Sequence, residues 1–161
     1  SSDHGLAVGH HGLMGKQNQY DHSIRMPLVI KGPGIEAGGK SNALVYLQSM
    51  YATTCDYAGI AVPETVDFPS LKSIIEGEAK SVHDAVFGNY RDFQRMVRTD
   101  KYKMIIYPHI GHAQLFDMEN DPEEMVNLID QEEYAPVVEE LSGRFRELQQ
   151  EVGDTLQVDL P

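Results

Sequence analysis

The sequence predicts an α/β chain. Its first half has the strand–helix order of an α/β core, and its second half is a small antiparallel sheet packed with a C-terminal helix. Three patterns lead to this prediction. A short apolar run is followed by helical periodicity before residue 60, several β-rich runs lie between residues 85 and 117, and an amphipathic stripe covers residues 136–152. A strand followed by a helix is half of a parallel βαβ unit, whereas closely spaced strands separated by turns indicate an antiparallel meander. We therefore expect two parts, residues 1–80 and residues 81–161.

The first part is predicted to begin with a loop and to continue with one strand and two helices. Residues 1–26 are rich in glycine and histidine, which is typical of a loop, and we expect one short helical turn within it. The apolar run 27–30 is stopped by a turn rich in glycine and proline, and it predicts a short buried strand. Apolar residues recur at helical spacing over residues 44–57, with Gly59 as the C-terminal stop, and a shorter helix is predicted over residues 69–76.

The second part is predicted to contain four strands and one long helix. Each strand is a short run rich in β-branched and aromatic residues, and turns separate the runs. The predicted strands cover residues 85–87, 93–99, 102–107 and 113–117. Over residues 136–152 the apolar side chains form one stripe and the charged side chains mostly lie off it. An amphipathic helix should therefore lie across the meander.

Composition narrows the class of function. Of 161 residues, 25 are acidic and 13 are lysine or arginine, and the formal net charge of -12 argues against a nucleic-acid-binding protein. No run approaches the roughly 18 consecutive apolar residues that a membrane span needs. The single cysteine, Cys55, excludes an internal disulfide and is expected to be a buried, inert thiol. Lys16, Arg25, Lys31 and Lys40 lie in the first quarter, where an anionic substrate could meet positive charge.

Asp3 and His4 in the opening loop are candidate metal ligands. Because they are adjacent in sequence, they can share one ion only where the backbone turns. A carboxylate oxygen suits Ca²⁺ or Mg²⁺, whereas an imidazole favours Zn²⁺ or another transition metal. Two ligands do not complete a site, so others would have to come from His10, His11, Asp21 or residues outside this sequence. The competing interpretation is a solvated loop with a capping aspartate and a surface histidine.

Lys16 is the candidate anion-binding residue of the same loop. It lies between Gly15 and Gln17, and a point charge beside glycine is suited to the oxygens of phosphate or sulfate. A solvated surface lysine is the competing interpretation. Arg95 is a further candidate for contact with an anion, with ordinary solvent exposure as the alternative. His109 lies in a glycine turn with His112, and the spacing of the two histidines is a weakly specific signal for a metal pair.

A series of short motifs runs through the sequence in a fixed order. The opening loop contains Ser2-Asp3-His4-Gly5, Gly9-His10-His11-Gly12, Gly15-Lys16 and Tyr20-Asp21-His22-Ser23-Ile24-Arg25-Met26-Pro27-Leu28. Further on are Gly32-Pro33-Gly34-Ile35, Asp56-Tyr57-Ala58-Gly59-Ile60, Arg98-Thr99-Asp100-Lys101-Tyr102-Lys103 and Leu115-Phe116-Asp117-Met118-Glu119-Asn120-Asp121-Pro122-Glu123-Glu124. Together these motifs resemble the second half of the type I (formylglycine-dependent) sulfatase family over nearly the whole chain.

The resemblance implies the C-terminal part of an alkaline-phosphatase-like α/β core, followed by a small antiparallel sheet, in an arylsulfatase-like sulfuric ester hydrolase. It implies that Asp3 and His4 ligate a divalent ion, usually Ca²⁺. It also implies that Lys16 is a catalytic residue that contacts the sulfate oxygens, and that His11 lies at the pocket edge. Arg91, Arg95 and His109 are then the residues of this chain that could line the substrate pocket.

The family's formylglycine nucleophile is made from a Cys or Ser in a motif that this sequence lacks, and Cys55 does not match it. The remaining metal ligands also come from earlier in the family's sequence. The chain is therefore expected to be a C-terminal piece, inactive alone, that pairs with the N-terminal part of the catalytic domain and acts on a sulfate ester. A secreted or periplasmic enzyme is what the resemblance implies.

Two alternative functions remain open from the sequence. One is a phosphodiesterase or phosphonate hydrolase of the same superfamily, in which Zn²⁺ or Mn²⁺ would replace Ca²⁺. The other is a non-catalytic binding or structural module, since the chain lacks a nucleophile. The nucleophile motif of the longer protein and its metal content would discriminate between them.

Overall fold

A computed structural model describes all 161 residues of the chain, which divides into two compact units. One unit combines Ser1–Pro27, here called the opening segment, with Ala85–Pro161, and the other is Leu28–Asp84. The second unit ends near the predicted boundary at residue 80. The opening segment, however, groups with the C-terminal sheet rather than with the residues that follow it. This grouping arises from long-range contacts: Tyr20 of the opening segment packs in an apolar cluster with Phe116 of the sheet. The assignment of residues 1–80 to one catalytic domain of a longer protein stays a prediction.

The opening segment contains a small hairpin and one helical turn. Strands β1 (Ala7–Val8) and β2 (Met14–Gly15) pair in antiparallel fashion, with a 3₁₀ turn at His10–Gly12 between them. Helix α1 (Asp21–Ile24) follows. The short helical turn that the sequence predicts in this loop is confirmed by α1, whereas the two strands were not predicted, because two-residue strands carry no periodic signal.

The unit Leu28–Asp84 contains two helices, α2 (Ser49–Ala58) and α3 (Lys72–Ile75). The predicted helices are confirmed, and α2 ends at Gly59 in a left-handed conformation (φ 66°) as expected. The predicted strand at residues 27–30 is wrong: that run forms no regular element, and Val29 is 85% exposed. A strand needs a hydrogen-bonded neighbour, and no other segment pairs with this run. Cys55 is half-buried, so the expectation of a buried thiol is also wrong.

Four strands form the main sheet and confirm the predicted meander. They are β3 (Ala85–Tyr90), β4 (Gln94–Thr99), β5 (Tyr102–Tyr107) and β6 (His112–Asp117). Each pairs in antiparallel fashion with the next strand along the chain.

Both faces of this sheet are covered. Helix α4 (Ala135–Glu151) packs on one face through its predicted apolar stripe, and a single core cluster joins the helix to the sheet. The members of this cluster from helix and sheet are Val138, Leu141, Phe145, Leu148, Ala85, Phe87, Val97, Met104, Ile106, Ala113 and Leu115. On the opposite face Met96, Ile105 and Phe116 pack with Tyr20 of the opening segment. Successive residues along a strand point to opposite faces of the sheet, so alternate side chains belong to different clusters. None of the helices has the length and apolar character required to cross a membrane.

Candidate functional site

The hairpin of the opening segment brings Asp3, His4 and Lys16 together. Ala7 of β1 lies opposite Gly15 of β2, so the residues at the open end of the hairpin are neighbours in space. His4 Nε2 lies 3.4 Å from Asp3 Oδ2 and contacts Lys16 Nζ. Their predicted proximity is confirmed, whereas their functional roles stay predictions.

Gly5 fixes how the His4 loop lies on helix α1. Its amide donates a hydrogen bond of 2.8 Å to the carbonyl oxygen of Ser23. A Cβ atom at this position would lie only 2.0 Å from the carbonyl oxygen of His22, so no side chain fits there. The backbone beside His4 is therefore seated directly on the backbone of α1.

The orientation of the His4 ring suits a metal ligand. Its Nδ1 is 2.8 Å from the carbonyl oxygen of Gly5, which favours the tautomer that carries the proton on Nδ1. Nε2 then keeps its lone pair, which accepts from Lys16 Nζ, and lies 3.4 Å from the Asp3 carboxylate. A histidine whose Nδ1–H is held by a backbone carbonyl is the usual arrangement at metal sites. No group of three or more His, Cys, Asp or Glu side chains in the chain is arranged to hold a metal. Asp3 and His4 fit a divalent ion only if other ligands come from elsewhere.

The other histidines of the opening segment lie around Tyr20. The His11 ring stacks on the Tyr20 ring, with 4.0 Å between their centroids, and lies 5.6 Å from the His22 ring. Burial and the neighbouring His11 lower the pKa of His22 below its ordinary value. His10 Nδ1 lies 3.9 Å from a carboxylate oxygen of Glu123. These contacts give His11 a defined aromatic neighbour, and its role at a pocket edge stays a prediction.

The structure corrects the prediction that Arg95 contacts an anionic substrate. Its side chain is 4% exposed, and Nε and Nη2 donate to the two carboxylate oxygens of Asp154 at 2.7 and 3.0 Å. The guanidinium also donates to the backbone carbonyls of Arg91 and Gln94. All three guanidinium nitrogens thus have intramolecular partners, and Arg95 is a structural residue.

His109 lies in an exposed turn at one end of the sheet. Its Nε2 is 3.0 Å from Asp92 Oδ2, and its ring centroid is 5.4 Å from that of Phe93. The residue is exposed enough to meet a substrate, and its role stays a prediction.

A buried group of charges that was not predicted from the sequence lies beside α1. It is here called the ion cluster, and its members are Asp21, Arg98, Lys103 and Glu124. Lys103 is fully buried, and its Nζ lies 2.8 Å from Asp21 Oδ1 and 2.6 Å from Glu124 Oε1. Arg98 Nη1 lies 2.5 and 2.7 Å from the two oxygens of Asp21. Asp21 is thereby excluded as an additional metal ligand, because its carboxylate is already held by two cations.

Burial and charge shift the two acids of the ion cluster in opposite directions. Burial alone would raise the pKa of Asp21, but Lys103 and Arg98 outweigh it and hold that pKa below its ordinary value. Burial raises the pKa of Glu124, and Lys103 opposes this only in part. The signal available in the sequence was Lys103 itself, a lysine within an apolar strand that must find a buried partner.

Comparison with known proteins identifies the family. The family model described as "N-sulphoglucosamine sulphohydrolase, C-terminal" matches residues 9–151. An N-acetylglucosamine-6-O-sulfatase of Bacteroides thetaiotaomicron is 33% identical over 167 residues, which cover 96% of this chain and 30% of that protein. Human arylsulfatase K is 33% identical over 142 residues, which cover 80% of this chain and 26% of that protein. The chain thus spans about a third or less of these relatives.

Solved structures agree with this assignment. A solved protein in complex with its substrate D-glucosamine-2-N,6-O-disulfate superposes with a TM-score of 0.88 and 32% identity, over 96% of this chain and 34% of that one. The phosphonate monoester hydrolase of Agrobacterium radiobacter superposes with a TM-score of 0.78 and 25% identity, over 93% of this chain and 34% of that one. The fold is therefore that of the C-terminal part of an alkaline-phosphatase-like enzyme, and the chain belongs to the sulfatase family through its N-sulphoglucosamine sulphohydrolase C-terminal region.

Proposed function

We propose that this chain forms one side of the active site of a longer sulfuric ester hydrolase. The observation that carries the proposal is the convergence of Asp3, His4 and Lys16 at the open end of the β1–β2 hairpin. A carboxylate, an imidazole and an ammonium group together suit a bound cation beside an anionic ester. The sulfatase relatives support sulfate rather than phosphate as the group that is transferred.

Asp3 and His4 would hold the divalent ion, with Ca²⁺ as the ion we propose. When bound, such an ion would supply positive charge to the oxygens of the sulfate group. Asp3 offers hard oxygen ligands, and His4 offers Nε2 in an orientation set by Gly5. The remaining ligands and a formylglycine nucleophile would come from the part of the protein outside this chain.

Lys16 would donate to the sulfate oxygens and stabilise the negative charge that develops on them. A preorganised cationic donor of this kind acts mainly in the transition state. His11 would lie at the edge of the same pocket, stacked on Tyr20, and the exposed His109 is a second candidate for substrate contact. The isolated chain would bind neither metal nor ester strongly enough for turnover, because it supplies only two of the ligands.

The test is the hydrolysis of a chromogenic aryl sulfate and of glucosamine 6-sulfate by the full-length protein. We expect Lys16→Ala to lower kcat/KM by roughly 10²–10³-fold, the cost of removing one oxyanion-type donor. Lys40→Ala is the matched control, since Lys40 is another exposed lysine in a loop, and it should retain activity. Wild-type kcat/KM in the Lys16→Ala enzyme would refute the role of Lys16.

A phosphonate or phosphate diester hydrolase is the second candidate, and the likeness to phosphonate monoester hydrolase favours it over other classes. In that case the full-length protein would contain Zn²⁺ or Mn²⁺ and would hydrolyse a phenylphosphonate ester faster than an aryl sulfate. Metal analysis and this pair of substrates separate the two candidates. A protein that hydrolyses neither class and binds no metal would instead be a non-catalytic module.

A further inference from the structure

We propose that the ion cluster is the anchor that positions the His4 loop, with Lys103 and Glu124 as positioning residues for the metal-binding side of the site. The proposal rests on the proposed function for the role of His4, whereas the anchoring of the loop is a separate, structural claim. Four connected contacts join the sheet to His4.

The first step is the pairing of two cations on one face of the sheet. Arg98 of β4 and Lys103 of β5 are opposite each other in the strand register, so their side chains leave the sheet on the same side. This is the side that packs against the opening segment, because Met96 and Ile105 of the same alternating rows pack with Tyr20. Two cations without partners would strongly disfavour this arrangement.

The second step is the pair of acids that meets these cations. Asp21 comes from the opening segment and Glu124 from the turn after β6, and both contact the buried Nζ of Lys103. The cluster contains two acids and two bases, so its formal charges balance. Removing one member leaves an uncompensated buried charge, which is far more costly than the absence of the whole set.

The third step joins the ion cluster to helix α1. The amide of Asp21 donates a 2.7 Å hydrogen bond to Glu124 Oε2, which satisfies a free N–H at the beginning of the helix. Helix α1 has only four residues, and so short a helix is not stable by itself in water. Its position therefore depends on the partners that the sheet provides.

The fourth step joins helix α1 to His4. The amide of Gly5 donates to the carbonyl oxygen of Ser23 in α1, and Gly5 lies against the carbonyl of His22. His4 is the next residue, and its Nδ1 is held by the carbonyl of Gly5. A displacement of α1 is consequently passed to the ring that faces Asp3 and Lys16.

Arg95 provides a matched control for this argument. Like Lys103 it is a buried cation paired with a carboxylate, but its side chain leaves β4 on the side of Val97, which packs with helix α4. Its partners are Asp154 and the carbonyls of Arg91 and Gln94, none of which belongs to the opening segment. Arg95→Met should reduce overall stability without releasing the His4 loop.

The experiment measures amide hydrogen exchange of peptides within residues 3–24, and Ca²⁺ affinity by calorimetry, in the full-length protein. We expect Lys103→Met to accelerate exchange in these peptides and to weaken Ca²⁺ binding by about 10–100-fold, the usual cost of losing support around a metal ligand. Arg95→Met should leave both readouts unchanged. If Lys103→Met prevents folding, Glu124→Gln keeps an acceptor for the Asp21 amide and should give the same changes to a smaller extent.

The double variant Lys103→Met/Glu124→Gln tests the role of charge balance. It leaves the Asp21–Arg98 pair neutral overall and should restore part of the protection lost in Lys103→Met. Wild-type exchange and Ca²⁺ affinity in Lys103→Met, or equal acceleration in Arg95→Met, would overturn the anchor. Failure of the wild-type protein to hydrolyse sulfate esters would overturn the proposed function alone, because the exchange readout does not depend on activity.

Discussion

Gly5→Ala is the most direct test of how the His4 loop is seated. A new Cβ would lie 2.0 Å from the carbonyl oxygen of His22, whereas a carbon–oxygen contact needs about 3.3 Å. The obstacle is backbone of helix α1, which cannot rotate away as a flexible side chain would. The backbone at residue 5 must therefore move by about 1.3 Å, the difference between these distances.

This shift displaces His4, the residue next to Gly5. Misplacing a catalytic constellation by about 1 Å costs on the order of 10²-fold in rate. We expect kcat/KM of the full-length protein toward an aryl sulfate to fall by about that factor, with weaker Ca²⁺ binding. The assay is steady-state hydrolysis over a range of Ca²⁺ concentrations.

Gly39→Ala is the matched control for this substitution. Its Cβ would lie 3.7 Å from the carbonyl oxygen of Glu36, an ordinary contact, so activity should be retained. A Gly5→Ala enzyme with wild-type kcat/KM and Ca²⁺ affinity would refute the reasoning, because the loop would then tolerate a movement that the geometry forbids.

Two further predictions concern residues Ala85–Pro161. Phe145 is fully buried beside Phe87, so Phe145→Ala should lower the free energy of unfolding by about 3–5 kcal/mol, as measured by urea titration. A loss below about 1 kcal/mol would contradict the packing of Phe145 in this core. Hydrogen bonding from Arg95 holds the pKa of Asp154 below its ordinary value of 3.8, so its ionised form stabilises the fold above that pH. Asp154→Asn should therefore cost about 1–3 kcal/mol at pH 7, and the difference from wild type should shrink as the pH falls below 3.8. A difference that is constant with pH would show that ionisation of Asp154 contributes nothing.

Most helices and strands could be predicted because they depend on the spacing of apolar residues within a short stretch of sequence. The stripe over residues 136–152 predicted helix α4 (Ala135–Glu151) because its apolar spacing matches the helical period. The strands from β3 to β6 were predicted because turn residues separate them. The prediction of a strand at residues 27–30 was wrong because apolar character alone does not reveal whether a neighbouring strand exists.

The candidate site was predictable only in part. The proximity of Asp3, His4 and Lys16 followed from motifs within one short segment. Arg95 was assigned wrongly because sequence does not show that Asp154, far along the chain, occupies its guanidinium. The ion cluster was missed for the same reason, although a lysine inside an apolar strand was a visible signal.

The long separation of the partners in the ion cluster has a consequence for biosynthesis. Asp21 and Lys103 are 82 positions apart, and Asp21 and Glu124 are 103 positions apart. At translation rates of about 5–20 residues per second, the opening segment leaves the ribosome on the order of 5–20 s before Glu124 does. Until β6 (His112–Asp117) has been made, the nascent segment has no complete sheet to pack against, and Tyr20 lacks its partner Phe116. The loop that carries the proposed ligands therefore cannot be anchored by the ion cluster until Glu124 has been made.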